Sequence, residues 1–197
     1  MDYALIWAAL MAFAVFAYVV LDGFDLGIGL LFPFIKEEKD KSTAMNSIAP
    51  FWDGNETWLV LGGGGLYATF PMAYGIIFSA LYAPLIVMLL ALIFRRVAFE
   101  FRWRAETVKT RKLWDLSFTL GSLAAAFSQG VMLGALVQGI NVVDRAYAGG
   151  WWDWLTPFSL FTGLAFESLY NVANGCFKVE INRHAVDKNV RIRCVHN

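Results

Sequence analysis

Residues 4–35 decide the fold of this chain, and they read ALIWAALMAFAVFAYVVLDGFDLGIGLLFPFI. A helix needs about 20 apolar residues to cross the roughly 30 Å hydrocarbon core of a bilayer, so this segment is long enough. It nevertheless contains two aspartates, Asp22 and Asp25. A carboxylate at membrane depth is costly unless it is paired, protonated or faces a polar cavity. The segment therefore predicts a membrane-spanning helix whose acidic groups have a function.

The composition of the 197 residues indicates a membrane protein that crosses the bilayer several times. Hydrophobic residues make up 58% of the chain and charged residues only 16%, whereas a soluble domain is about 25% charged. The N-terminus lacks the basic region of a secretory signal, so we expect the first span to be retained. Cys176 and Cys194 have no CxxC spacing and predict neither a disulfide framework nor a zinc site.

Apolar runs predict the positions of five spans: residues 4–33, 56–72, 75–95, 114–140 and, with a more polar end, 155–177. We expect a tight turn around residues 71–75 between the second span and the third. The predicted fold is an all-α polytopic transmembrane helix bundle with four clear spans and a weaker fifth.

Basic residues indicate the orientation of these spans, because cytoplasmic loops carry an excess of Lys and Arg. They are concentrated after the first, third and fifth spans: Lys36, Lys39, Lys41, Arg95, Arg96, Arg102, Arg104, Lys109, Arg111, Lys112, Lys178, Arg183, Lys188, Arg191 and Arg193. The turn after the second span has none, and the loop after the fourth has only Arg145. We therefore predict a periplasmic N-terminus and a cytoplasmic C-terminal tail. Trp151, Trp152 and Trp154 would then lie in the outer aromatic belt.

Three groups of glycines have the small-residue spacing that lets membrane helices approach closely: Gly23 with Gly27, Gly130 with Gly134, and the run Gly62–Gly65. We interpret all three as packing surfaces. The tetraglycine is not a phosphate-binding loop, since no Lys-Ser or Lys-Thr follows it.

Asp22 and Asp25 are three residues apart, so they share one face of the first helix. One interpretation is a proton relay or cation site inside the bundle. The other is structural, with both acids snorkelling or bonded to neighbouring helices at the membrane interface.

A second acidic pair, Asp53 and Glu56, lies at the predicted cytoplasmic entry of the second span within the sequence WDGNETW. Carboxylates near a helix N-terminus can act as caps. The density of polar groups here, with Asn55 between the acids and Trp52 beside them, exceeds what a cap needs. A proton-exchanging site is the alternative interpretation.

Basic and amide side chains offer partners for these acids. Arg95 and Arg96 end the third span, and one of them can pair with Asp53 or Glu56. For most of the basic side chains between positions 95 and 104, topological anchoring is the simpler interpretation. Hydrogen bonding between helices is the expected role of the polar residues of the fourth span, Ser128, Gln129 and Gln138.

Histidine is absent from every predicted span, since both histidines, His184 and His196, lie in the polar tail. Haem iron held within a helical bundle commonly needs an embedded histidine. We therefore expect this chain to bind no haem or other metal itself, and a partner to carry the metal of any redox enzyme it serves.

Several stretches together resemble subunit II of the cytochrome bd-type quinol oxidases, including their cyanide-insensitive branch. The resemblance covers residues 1–165 and is carried by DGFDLGIG (22–29), NSIAPFWDGNETWL (46–59), FPMAY (70–74), FRRVAFEFR (94–102) and WD (114–115). It implies a complex of the bacterial plasma membrane that oxidises quinol and reduces dioxygen to water. In that family subunit I holds the haems, of b and d type or of b type alone, and the site of quinol oxidation.

The resemblance implies a supporting role for this chain as the non-haem subunit of a quinol:oxygen oxidoreductase. Subunit II stabilises the haem-bearing subunit, contributes to proton access and is a possible holder of a structural quinone. Other implied partners are a small accessory subunit, the lipid bilayer and quinol, with no nucleic acid. Carried onto this sequence, the proton path would comprise Asp22, Asp25, Asp53 and Glu56, supported by Trp52, Asn55, Arg95 and Arg96.

The chain also departs from the family pattern, because members are about twice its length. We expect residues 1–165 to correspond to the N-terminal transmembrane bundle of subunit II, and residues 166–197 to form a divergent end of the fifth span and a polar cytoplasmic tail. A cation- or proton-coupled secondary transporter or channel, using the same acids, is the alternative function. A purely structural membrane scaffold is a third.

Overall fold

A computed structural model describes residues 2–174, and these residues are almost entirely helical. The helices are Tyr3–Leu31 (α1), Glu38–Ile48 (α2), Trp52–Thr69 (α3), Pro71–Ala80 (α4), Tyr82–Trp103 (α5), Val108–Gln138 (α6) and residues 157–174, the described part of α7. A short 3-10 helix, Phe32–Phe34, extends α1. Two strands, Val142–Val143 (β1) and Ala146–Tyr147 (β2), pair antiparallel after α6. The prediction of an all-α bundle is confirmed.

Three segments within residues 2–174 are long and apolar enough to cross a membrane: Tyr3–Phe34, Tyr82–Trp103 and Val108–Gln138. A shorter apolar helix covers Pro71–Ala80. The predicted second span corresponds to α3, which begins with polar residues and contains four glycines. The predicted fifth span corresponds to α7, and its end lies outside the described residues. The total of five spans therefore stays a prediction.

The predicted third span, residues 75–95, is wrong as a single helix. Residues 71–75 are already helical, and the break after α3 lies at Phe70. A second break at Leu81 separates α4 from α5. Pro84 accounts for it, because proline has no N–H to donate and its ring clashes with the carbonyl four residues earlier. The backbone hydrogen bond from Leu81 N to the Ile77 oxygen is the last one before the break, at 3.0 Å.

The connection between α1 and α3 contains a helix that the sequence analysis does not predict. One face of α2, formed by Ala44, Met45 and Ile48, is buried. It packs with Phe32, at the end of α1, and with Phe118 of α6 in one apolar cluster. This segment is therefore a docked helix at one end of the bundle and not a solvated loop.

The glycine pairs are packing surfaces, as predicted, and the helix that packs on them is α7. A side chain at Gly130 or Gly134 would collide with Thr162, and one at Gly23 or Gly27 would collide with Tyr170 or with Asn174. In the tetraglycine the prediction holds in part. Substituents at Gly62 and Gly65 would meet Val15 and Met11 of α1, whereas a substituent at Gly64 would meet nothing.

The tryptophan cluster lies at the opposite end of α6 from α2. Trp151 contacts Tyr82 at the start of α5, with ring centroids 5.7 Å apart, and Trp152 contacts Trp154 at 6.2 Å. This position is the one that the predicted outer aromatic belt requires. The orientation of the two ends relative to the membrane stays a prediction.

Candidate functional site

The inward face of α5 positions the central cation of the candidate site. Buried residues recur along α5 at spacings of three and four, which keeps them on one side of a helix: Pro84, Met88, Ala91, Leu92, Arg95, Ala98, Phe99 and Arg102. Arg95 therefore points into the bundle. Arg96, one residue further on, is about 100° around the helix and reaches the start of α3.

Asp22 and Arg95 form an ion pair inside the bundle. The Nη1 atom of Arg95 lies 3.5 Å from Oδ1 of Asp22, whose side chain is completely buried. The same Nη1 atom lies 3.7 Å from Oε1 of Glu56 on α3. The guanidinium also lies over the ring of Phe118, 5.7 Å from its centroid. A single buried cation thus stands between acids from two helices.

Arg96 forms the outer half of the cluster. Its Nη2 atom lies 2.7 Å from Oε2 of Glu56 and 2.9 Å from Oδ1 of Asp53, and its guanidinium lies over the ring of Trp52 at 4.7 Å. The side chain of Asp53 is 75% exposed, that of Glu56 16% and that of Asp22 not at all. The three acids therefore form a graded series from the surface into the core.

Asp25 belongs to a neighbouring arrangement with a neutral partner. The amide nitrogen Nδ2 of Asn55 donates a hydrogen bond to Oδ2 of Asp25 at 2.9 Å and approaches the backbone oxygen of Leu21 at 3.4 Å. Asp25 is buried. α1 thus presents one acid to an arginine and another to an amide.

Some polar atoms of the cluster are buried without a hydrogen bond among the described residues: Asp22 Oδ2, Glu56 Oε1 and Arg95 Nε. A cavity of about 10 Å³ lies beside the last two of these residues and is lined in part by Glu56, Arg95 and Arg96. That volume is close to the minimum for one water molecule, which also needs polar partners. The arginines therefore connect the acids, and the cavity beside Glu56 has room for about one water molecule.

All eight predicted site residues lie in or beside this cluster, but two of the simpler interpretations are wrong. Neither Asp22 nor Asp25 snorkels, since both are at most 1% exposed. Asp53 is not a cap, because α3 has Phe51 at its N-cap position and no side-chain cap hydrogen bond. The other part of the structural interpretation, bonding to neighbouring helices, holds for both acids. Their function stays a prediction.

Arg95 and Arg102 do more than the topological anchoring expected of most basic residues in this stretch, because both are buried and paired with acids. Nε of Arg102 lies 2.6 Å from Oδ1 of Asp115, and its Nη2 atom lies 2.9 Å from Oε2 of Glu38. Lys41 completes this second cluster with an ion pair to Asp115 at 2.9 Å. The cluster fastens α2 to α5 and α6. The sequence signal was the seven-residue spacing that places Arg102 on the same stripe as Arg95.

The predicted hydrogen bonding between helices is confirmed for Gln129 of α6, whereas Gln138 accepts a hydrogen bond from a residue in the connection before α7. Gln129 contacts tyrosines of α1 and α7, and Oε1 of Gln138 accepts a hydrogen bond from Thr156 before α7. Residues 2–174 contain no group of three or more His, Cys, Asp or Glu side chains placed to hold a metal ion. The two histidines lie outside the described residues.

Apolar helices that enclose paired charges define the class of this protein: it is a polytopic α-helical membrane protein with an embedded charge cluster. Comparison with known families then identifies the family within this class. The family model described as cytochrome bd terminal oxidase subunit II matches residues 3–191. The chain belongs to this family.

Individual relatives agree with the family assignment. The chain is 38% identical over 165 residues to cytochrome bd-I ubiquinol oxidase subunit 2 of Escherichia coli K12, covering 81% of this chain and 44% of the relative. It is 35% identical over 166 residues to cytochrome bd ubiquinol oxidase subunit 2 of Bacillus subtilis, covering 83% and 49%. A probable cytochrome oxidase subunit 2 of Haemophilus influenzae is also 35% identical, over 170 residues, covering 83% and 45%. The chain thus spans about half the length of the curated relatives it matches.

Proposed function

We propose that this chain is the non-haem subunit of a quinol oxidase in the bacterial plasma membrane. The complex would oxidise quinol and reduce dioxygen to water, and a partner subunit would hold the haems and the quinol-oxidation site. Family membership supports this proposal, as do the names of the Escherichia coli and Bacillus subtilis relatives, both ubiquinol oxidase subunits. This chain would stabilise the partner and bring protons to it from the cytoplasmic side.

The graded exposure of three acids carries the proposal of a proton path. Asp53 is open to solvent, Glu56 is mostly covered and Asp22 is completely buried, and arginines stand between successive acids. The series runs from an acid in contact with water, Asp53, to one completely buried, Asp22, as a path from the surface into the bundle requires. Ionisable groups within a membrane are costly and usually mark an ion or proton pathway.

Each acid has a step in this proposed path. Asp53 takes a proton from water and passes it to Glu56, and Arg96 holds the two carboxylates together. Arg95 faces both Glu56 and Asp22, so its charge compensates whichever of them is ionised. Asp22 then releases the proton towards the partner. Every carboxylate returns to its starting state, so the path transfers protons without net reaction.

Asp25 and Asn55 would form a side branch of the path. Within residues 2–174 Asp25 has a hydrogen bond from Asn55 and no ion-pair partner, so its charge is less compensated there than that of Asp22. The chain would hold no haem. Any structural quinone would be an additional ligand of the complex, and a small accessory subunit an additional partner.

Substitution of the entrance acids tests the proposal. In the chain assembled with its haem-bearing partner, Asp53→Asn and Glu56→Gln should each lower quinol-dependent oxygen consumption several-fold while the haem absorbance per complex is retained. The reason is that an amide cannot take up and release the proton. Glu106→Gln, an exposed acid after α5, is the matched control and should leave turnover unchanged.

Unchanged turnover in both variants would remove these acids from the path. Cation flux through liposomes that contain only this chain would favour the transporter alternative. Retained turnover after neutralisation of all four acids, in an intact complex, would favour the scaffold.

A further inference from the structure

Three buried polar side chains outside the ion-pair cluster meet inside the bundle. Tyr18 comes from α1, Gln129 from α6 and Tyr170 from α7, and they are 2%, 6% and 4% exposed. The hydroxyl of Tyr170 donates to Oε1 of Gln129 at 2.8 Å, with the Val19 carbonyl oxygen at 3.2 Å as its other near acceptor. Nε2 of Gln129 donates to the hydroxyl oxygen of Tyr18 at 2.8 Å.

The chemistry of the amide gives this array a direction. An amide oxygen only accepts hydrogen bonds and an amide nitrogen only donates them, so Gln129 receives from Tyr170 and donates to Tyr18. The Tyr18 oxygen is therefore already an acceptor, and its own proton must be directed to another group. A buried hydroxyl without an acceptor would be unfavourable.

Asp22 is the acceptor in reach. It lies four residues after Tyr18, one turn further along the same face of α1. Only Oδ1 of Asp22 faces Arg95, and Oδ2 is buried and makes no hydrogen bond within residues 2–174.

We propose that Tyr18 is a positioning residue for Asp22, and that Gln129 and Tyr170 turn its O–H towards the Oδ2 atom of that carboxylate. Asp22 is thereby held from two sides, by Arg95 at one oxygen and by Tyr18 at the other. The array spans three helices, so its geometry depends on the bundle as a whole.

A consequence follows for the direction of proton transfer, and it rests on the proposed function. A hydroxyl can pass a proton on, because it both donates and accepts. The amide of Gln129 does not readily exchange its protons along a chain, since it would have to pass through an unfavourable tautomer. The polar path therefore ends at Tyr18, and protons from Asp22 must leave by another side.

Carbodiimide labelling of the purified chain tests the positioning role without any oxidase turnover. The apolar reagent dicyclohexylcarbodiimide reacts with protonated carboxyl groups, and peptide mass spectrometry reports Asp22 and Asp25 separately in the intact protein. Tyr18→Phe removes the donor to Asp22, so we expect labelling of Asp22 at neutral pH to rise several-fold and labelling of Asp25 to stay constant. Tyr170→Phe, which reaches Tyr18 through Gln129, should give a smaller rise. The matched control is Tyr67→Phe, at an exposed tyrosine of α3.

Three results would overturn the proposal: unchanged Asp22 labelling in Tyr18→Phe, an equal rise at Asp25, or an equal rise in Tyr67→Phe. An effect of Tyr18→Phe without any effect of Tyr170→Phe would overturn the role of the array behind Tyr18. Because no step of the assay needs the partner subunit, failure of the proton path in turnover experiments leaves this result interpretable.

Discussion

The buried charges are the residue-scale feature that most constrains this protein. The Arg95 side chain is almost completely buried and forms an ion pair with Asp22. Glu56 lies near Arg95 and also forms an ion pair with Arg96. A buried ion pair repays its desolvation only when geometry and additional hydrogen bonds are favourable. The pair at 3.5 Å, with one carboxylate oxygen turned away from the arginine, is therefore not an optimised stabilising contact. This geometry suits a group whose charge changes during function.

A double-variant cycle at this pair makes the argument testable. Arg95→Met leaves the Asp22 charge without compensation, and we expect a loss of about 3–5 kcal/mol in the free energy of unfolding. Arg95→Met combined with Asp22→Leu should recover most of that loss, because no unpaired charge remains. Circular dichroism during thermal unfolding in detergent measures the stability of the single and the double variant. Arg104→Met, at an exposed arginine, is the control, and strictly additive single effects would contradict the expectation.

At the scale of elements, the close contact between α6 and α7 depends on glycines, which have no side chain. A Cβ atom at Gly130 would lie 2.6 Å from the carbonyl oxygen of Thr162 and 2.7 Å from the Cα atom of Gly163. Both are backbone atoms, which cannot turn aside as a side chain would. The two helices can approach this closely only because glycine occupies the contact.

Substitution of single glycines should separate packing from helix propensity. Gly130→Ala forces α6 and α7 apart, and we expect the free energy of unfolding to fall by about 1–3 kcal/mol. Gly64→Ala, where a Cβ meets nothing within 4 Å, should leave the unfolding temperature unchanged or raise it, since alanine favours helix over glycine. Thermal unfolding of the two purified variants under identical conditions compares them. Equal effects of the two substitutions would contradict the packing argument.

At the scale of the whole molecule, the two ends of the bundle differ in chemistry. The ion pairs that fasten α2 lie at one end, and the tryptophans and the β-hairpin lie at the other. The 31 residues of α6 connect these ends and span roughly 46 Å at 1.5 Å per residue, enough to cross a bilayer with its headgroups. The positive-inside bias predicts that the ion-pair end faces the cytoplasm.

Accessibility from outside tests this orientation. In a background with Cys176→Ser and Cys194→Ser, a membrane-impermeant maleimide should label Val143→Cys in intact spheroplasts, because β1 would face the periplasm. Lys109→Cys, at the start of α6, should be labelled only after permeabilisation. Gel shift or mass spectrometry reads both out, and the reverse pattern would place the N-terminus in the cytoplasm.

Hydropathy and spacing sufficed for much of this architecture, because both are local properties of the chain. They placed α1 within two residues and α3 within four at each end, although α6 begins six residues before its predicted span. They also identified the acids of α1 and α3 as unusual. They missed the break at Leu81, since a proline within an apolar run does not reveal whether a helix bends or ends. They also missed α2, whose apolar face is short and becomes meaningful only when Phe32 and Phe118 cover it.

The sequence by itself determined that acids lie within apolar helices, because an apolar run and the acids inside it are both local features of the chain. Only the tertiary structure decided which cation pairs with which acid. Arg95 lies 73 residues from Asp22 along the chain, and its neighbour Arg96, chemically identical, faces Asp53 and Glu56 instead. The choice follows from a rotation of about 100° between successive residues on α5 and from how that helix packs on α1 and α3. No local pattern contains that information.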